Sequence, residues 1–158
     1  MTLAGRAWVL GDNVNTDVLH PPQFYSLDPD RVKKGLFHGI DPTLQARLRA
    51  GDLVIAGRNF GCGSSRETSV RSLKLNGIAA VVAASFARIF FRSAINQGLL
   101  CLCFADPADA ARFSSGEEAR IDLDAAFVES GPARAAVERP GPFIERIWRA
   151  GGLLGLLP

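Results

Sequence analysis

Three short apolar runs separated by two helical stretches constrain this chain more than any other feature. Asp52 to Ala56 (DLVIA), Ile78 to Ala84 (IAAVVAA) and Leu99 to Phe104 (LLCLCF) show no alternation of polar and apolar residues. That is the pattern of strands covered on both faces. Between them, Ser64 to Asn76 and the Phe86, Ile89, Phe90, Ala94 series carry helical marks, and Gly77 and Gly98 stand at the stops. Strand, helix, strand, helix, strand implies parallel pairing through right-handed crossovers, and hence an α/β fold. The aromatics of the second helix read as core, because no basic sheet face accompanies them as a base-stacking platform would need.

The first crossover opens with a glycine-rich turn, Arg58 to Gly63 (RNFGCG), and two readings of it stand side by side. In one, Ser64 and Glu67 form a capping box, the hydroxyl accepting from an early helical N–H while the carboxylate reaches back. In the other, the turn is an anion site. Gly61 and Gly63 let backbone N–H groups face a ligand closely, Ser64 stands at the positive end of a helix, and Arg66 adds a permanent charge shaped for a carboxylate.

Charge points to no bulk partner, since 18 basic against 16 acidic residues leave a net +2 without a basic block. Any acid must therefore be bound at a specific site. The three cysteines, Cys62, Cys101 and Cys103, and two histidines, His20 and His38, have no metal-ligand spacing. Cys101 and Cys103 fall on one face of a strand and read as packed hydrophobes, while Cys62 lies in the glycine turn. With 158 residues the chain fits a single domain over residues 1–158. Without a leader or an apolar run long enough to span a bilayer, a soluble cytoplasmic protein is expected.

Elsewhere, Ala7 to Leu10 reads as an opening strand and Gly11 to Asn13 as its turn. Thr16 and Asp17 alone suggest a local cap or Asx interaction. Asp28 to Phe37 and Asp41 to Arg49 are expected as helices, Ala119 to Leu123 and Ala133 to Glu138 as strands, and Pro142 to Ala150 as a final helix.

Four blocks carry a family resemblance: NFGCGSSRE at Asn59 to Glu67, GDNVNTDVL at Gly11 to Leu19, ASFARIFFRSAINQGLL at Ala84 to Leu100, and RAGGLL near the carboxyl end. In this order they resemble the small-subunit family of 3-isopropylmalate dehydratase, the swivel domain of the aconitase superfamily. The resemblance implies a swivelling three-layer β/β/α domain with a mixed, barrel-like sheet. It also implies one half of a hydro-lyase, with Ser64 as the catalytic base, Ser65 and Arg66 on substrate carboxylate, and Asp17 with Thr16 ordering the site. The Lewis acid would be a four-iron four-sulfur cluster held by a separate large subunit, because this chain lacks a suitable cysteine set. In that family a short tyrosine-led loop, often with an arginine, sits where Phe24, Tyr25, Ser26 and Leu27 stand. Ser26 takes the arginine's place, and Phe24 and Tyr25 would offer apolar surface. A dicarboxylate with a small alkyl substituent is then expected, isopropylmalate first, with a methylated malate or homoaconitate as alternatives. A phosphate-binding module fits less well, since the loop lacks the P-loop lysine and a dinucleotide fingerprint would need glycine at Arg66. A subunit without catalysis is disfavoured by the joint presence of Ser64, Arg66 and Asp17.

Overall fold

The structure, a computed structural model, describes residues 1–64 and 66–158. The strands β1 (Thr2–Val9), β2 (Leu53–Ala56), β3 (Ala80–Ala83) and β4 (Leu100–Cys103) run parallel. From β1, the strands β5 (Glu118–Asp122), β6 (Phe127–Ser130) and β7 (Ala133–Ala136) continue the same sheet antiparallel. The order is β4-β3-β2-β1-β5-β6-β7 across seven strands. Its two edges meet beyond β4 and β7, where Phe104 bridges Val137 and Ala105 N–H donates to the Ala136 carbonyl at 2.9 Å. The sheet is therefore a mixed one curled towards a barrel, as expected.

Alternation along the strands divides the core into two layers. Ala7, Leu53, Ile55, Val82, Leu102, Ile121 and Val128 fill the inside of the curl. Trp8, Val54, Val81 and Cys101 face the other way, against Val70 and Leu73 of α3 (Glu67–Leu75) and Phe90 and Ala94 of α4 (Arg88–Asn96). Because Leu53 and Ile55 are wholly buried, each contributes about 1.5–3 kcal/mol, enough to hold a strand of only four residues. The remaining helices are α1 (Thr16–Leu19), α2 (Pro29–Lys34) and α5 (Pro142–Arg149). Among the described residues no helix is long and apolar enough to cross a membrane.

Two expectations need correction, and strand β6 is an addition to the strands expected. The helix expected from Asp41 to Arg49 is a set of turns with a short 3-10 segment at Gln45–Arg47. The Asp41 carboxylate accepts from both the N–H and the hydroxyl of Thr43, at 2.9 and 2.7 Å, which favours a local turn over helix propagation. The opening strand begins at Thr2, well before Ala7, since its first half pairs with β5. Strand β6 follows a turn without glycine or proline, in which Ala126 adopts φ 60° and the Asp122 carboxylate accepts from Ala125 N–H.

Candidate functional site

Two loops beyond the carboxyl ends of β1 and β2 run side by side and build the site. Asn13 N–H donates to the Arg58 carbonyl at 2.7 Å, Gly61 N–H to Val14 at 2.9 Å, and Thr16 N–H to Cys62 at 2.8 Å. At Gly61 and Gly63 the backbone takes φ of 84° and 93°. A Cβ at Gly61 would lie 2.2 Å from the Phe90 ring, and one at Gly63 would lie 2.6 Å from the Asn15 amide. Glycine is needed at both for space and backbone conformation alike.

The capping-box reading of Ser64 does not hold. Helix α3 starts at Glu67, its cap is Arg66, and among the described residues no side chain caps it. Ser64 is instead held through its carbonyl, which accepts from the buried Thr16 hydroxyl at 2.7 Å. Its side chain is exposed and lines a cleft of about 330 Å³ together with Thr16, Gly61, Gly63 and Arg66. Ser65, expected to bind substrate, lies outside the described residues.

Asp17 stands in α1, whose cap Asn15 accepts from Asp17 N–H at 2.8 Å, so the local interaction expected there exists. Its carboxylate is not part of the cleft wall. It is joined to the site through Tyr25, whose hydroxyl donates to Asp17 Oδ1 at 3.1 Å and whose ring lies 5.4 Å from the Arg66 guanidinium. Burial, and then the Asp17 carboxylate, push the Tyr25 phenol above its ordinary pKa, so it remains a donor.

Phe24 and Tyr25 are therefore not free apolar surface. Phe24 packs against His38 at 4.6 Å and the Arg31 guanidinium at 5.8 Å, and Tyr25 stacks on His20 at 5.7 Å. The apolar side chain which that loop leaves open is Leu27, 95% exposed. Neither Ser26 nor Leu27 lines the cleft.

The other cleft wall comes from the start of α4, with Arg88, Ile89, Phe90 and Ser93. Reading that helix for its apolar stripe passes over Arg88. The signal available was its place in the first turn, just after a strand-to-helix connection.

The cysteines do not suit a metal cluster. Cys101 is buried, and burial pushes its thiol far up, away from the thiolate a ligand must be; Cys103 is pushed up for the same reason. Among the described residues, no three His, Cys, Asp or Glu side chains converge.

A curled mixed sheet, helices on its outer face and an open serine–arginine loop between β2 and α3 define an aconitase-type domain. The family described as the aconitase C-terminal domain matches residues 38–107. Narrower likenesses extend over nearly the whole chain. A 3-isopropylmalate dehydratase small subunit of Methanopyrus kandleri is 42% identical across 98% of this chain and 92% of its own length. The corresponding small subunit of Lachnospira eligens is 38% identical across 96% and 91%. The crystal structure of 3-isopropylmalate dehydratase (leuD) from Methanocaldococcus jannaschii superposes with a TM-score of 0.89 at 37% identity, covering 98% and 92% of the two chains. The chain belongs to the family of 3-isopropylmalate dehydratase small subunits.

Proposed function

We infer that this chain is the small subunit of a heteromeric hydro-lyase that interconverts 2- and 3-isopropylmalate by removing and re-adding water, a step of leucine biosynthesis. The observation carrying this is the cleft itself: an exposed serine hydroxyl and two guanidinium-bearing residues, Arg66 and Arg88, line one cavity. A malate skeleton has two carboxylates, and two guanidiniums match them in number and in shape. Ser64 takes the proton from carbon beside a carboxylate. The amino end of α3 and Arg66 favour negative charge on its oxygen. Thr16 fixes the Ser64 backbone, Asp17 orders the site from outside the cleft wall, and Ser65 is assigned with Arg66 to a substrate carboxylate.

A four-iron four-sulfur cluster on the separate large subunit supplies the Lewis acid for the leaving hydroxyl. The free thiols of this chain suit a reducing, cytoplasmic setting. The dicarboxylate preference is supported by Arg31, the arginine that follows the loop in sequence and could otherwise stand in for the one absent at Ser26. It is engaged by the Gln23 carbonyl and the Phe24 ring and stands outside the cleft.

The test is reconstitution with the cluster-loaded large subunit, following the unsaturated intermediate by its ultraviolet absorbance. Turnover of isopropylmalate is expected only in the mixture. Turnover by the lone chain, or clear preference of the complex for homocitrate or citrate, would overturn the assignment.

A further inference from the structure

Tyr25 falls between two groups that the proposed chemistry needs, and both contacts are specific. Its hydroxyl is 3.1 Å from Asp17 Oδ1, and the Arg66 guanidinium carbon is 5.4 Å from its ring centroid, within cation–π range. Behind it lies a rigid support. The His20 ring stacks on Tyr25 with planes 12° apart, is 0% exposed, and is fixed by a 2.9 Å hydrogen bond between Nε2 and the Val32 carbonyl at α2. The Cβ that Gly35 lacks would fall 2.8 Å from that same His20 nitrogen, so the backbone also closes tightly on the ring.

We propose that Tyr25 is a positioning residue for the reaction, its hydroxyl holding the Asp17 carboxylate and its ring seating the Arg66 guanidinium. The inference rests on the dicarboxylate cleft proposed above and adds to it a device for holding two of its groups. Arg66 precedes the first residue of α3 and is exposed, with a long side chain free to sample many rotamers. A ring face limits that search without neutralising the charge, as a carboxylate partner would. Asp17 stands on a helix of only four residues, and the phenol ties its side chain to the opposite loop. A tyrosine that merely filled space would be replaceable by any apolar residue of similar volume.

Two variants separate these roles. In Tyr25→Phe the ring stays and the hydroxyl goes; in Tyr25→Leu both go. In the reconstituted complex, Tyr25→Phe is expected to lower kcat about tenfold with KM within about twofold of wild type, because the Asp17 carboxylate loses its donor while the ring face that seats Arg66 stays. Tyr25→Leu is expected to raise KM about tenfold in addition, because Arg66 then loses its seat. Identical kinetics for the two variants, or wild-type kinetics for both, would overturn the proposal. A second readout needs no partner. In the isolated chain, the Arg66 side-chain NMR signals should be shifted upfield by the ring current in wild type and Tyr25→Phe and return to ordinary values in Tyr25→Leu. Unshifted signals in wild type would refute the ring contact whatever the complex catalyses. An inactive wild-type complex with the shift present would instead count against the proposed substrate alone.

Discussion

Replacing Gly63 by alanine isolates the brace between the two site loops. The backbone there has φ 93°, where an L side chain costs about 1–2 kcal/mol, offset by about 0.5 kcal/mol because alanine stiffens the unfolded chain. The new Cβ would also lie 2.6 and 2.7 Å from the Asn15 amide atoms, so that side chain must move. Moving it removes the cap of α1, worth about 1 kcal/mol. The expected total is about 1.5–2.5 kcal/mol, or a fall in Tm of about 3–10 °C for a chain of this size. Gly116→Ala supplies the control, because Gly116 has φ 88° and nothing within 4 Å of its Cβ position. It should show the backbone strain alone, about 0.5–1.5 kcal/mol. A double-mutant cycle with Asn15→Ala, measured by urea unfolding, then reads the coupling. If Gly63→Ala acts by dislodging the cap, the two changes cost about 1 kcal/mol less together than the sum of each alone. Activity in the complex should fall with it, because α1 holds Asp17 and the Thr16 hydroxyl that bonds Ser64. Strict additivity, or Gly63→Ala behaving like Gly116→Ala in both stability and activity, would refute the brace.

Ser64→Ala should lower kcat of the complex about 10²- to 10⁴-fold while leaving stability within about 0.5 kcal/mol, since its hydroxyl caps no helix; a stability loss with normal kcat would restore the capping role. Arg66→Lys should act chiefly on KM, because an ammonium cannot grip a carboxylate with two parallel bonds; unchanged KM would remove Arg66 from substrate binding. Burial lowers the pKa of His20, so below about pH 6.5 the unfolded chain binds a proton that the folded chain resists. Stability should therefore fall as pH drops through that value and on towards the folded-state pKa. In His20→Gln the Tm difference between about pH 7.5 and 5.5 should shrink, and an unchanged difference would show that His20 is not its source.

The elements legible in the sequence are those whose partners are supplied by the fold as a whole. Strands β2, β3 and β4 are buried on both faces, so any register leaves an apolar run that is readable without knowing what covers it. Strand β6 sits beside β5 and β7 with a half-exposed Glu129, and nothing in its approach names a turn. The site divides the same way. Gly61, Gly63, Ser64 and Arg66 are close in sequence, and their chemistry shows as a motif. The error at Ser64 came from the same locality: Ser-x-x-Glu is a sound cap pattern. Here, however, Val14 and Thr16 claim the preceding turn and pull the helix start forward to Glu67. Arg88 escaped for the opposite reason, and Tyr25, expected only as apolar surface of a selectivity loop, was given the wrong part for the same one. An aromatic in a loop and an arginine in a helix have no distinctive spacing, and they acquire meaning only when folding brings Tyr25 against Asp17 and Arg66 and sets Arg88 across the cleft from Ser64. A positioning residue is recognised by what it touches on both sides, and those contacts span three separate segments of the chain.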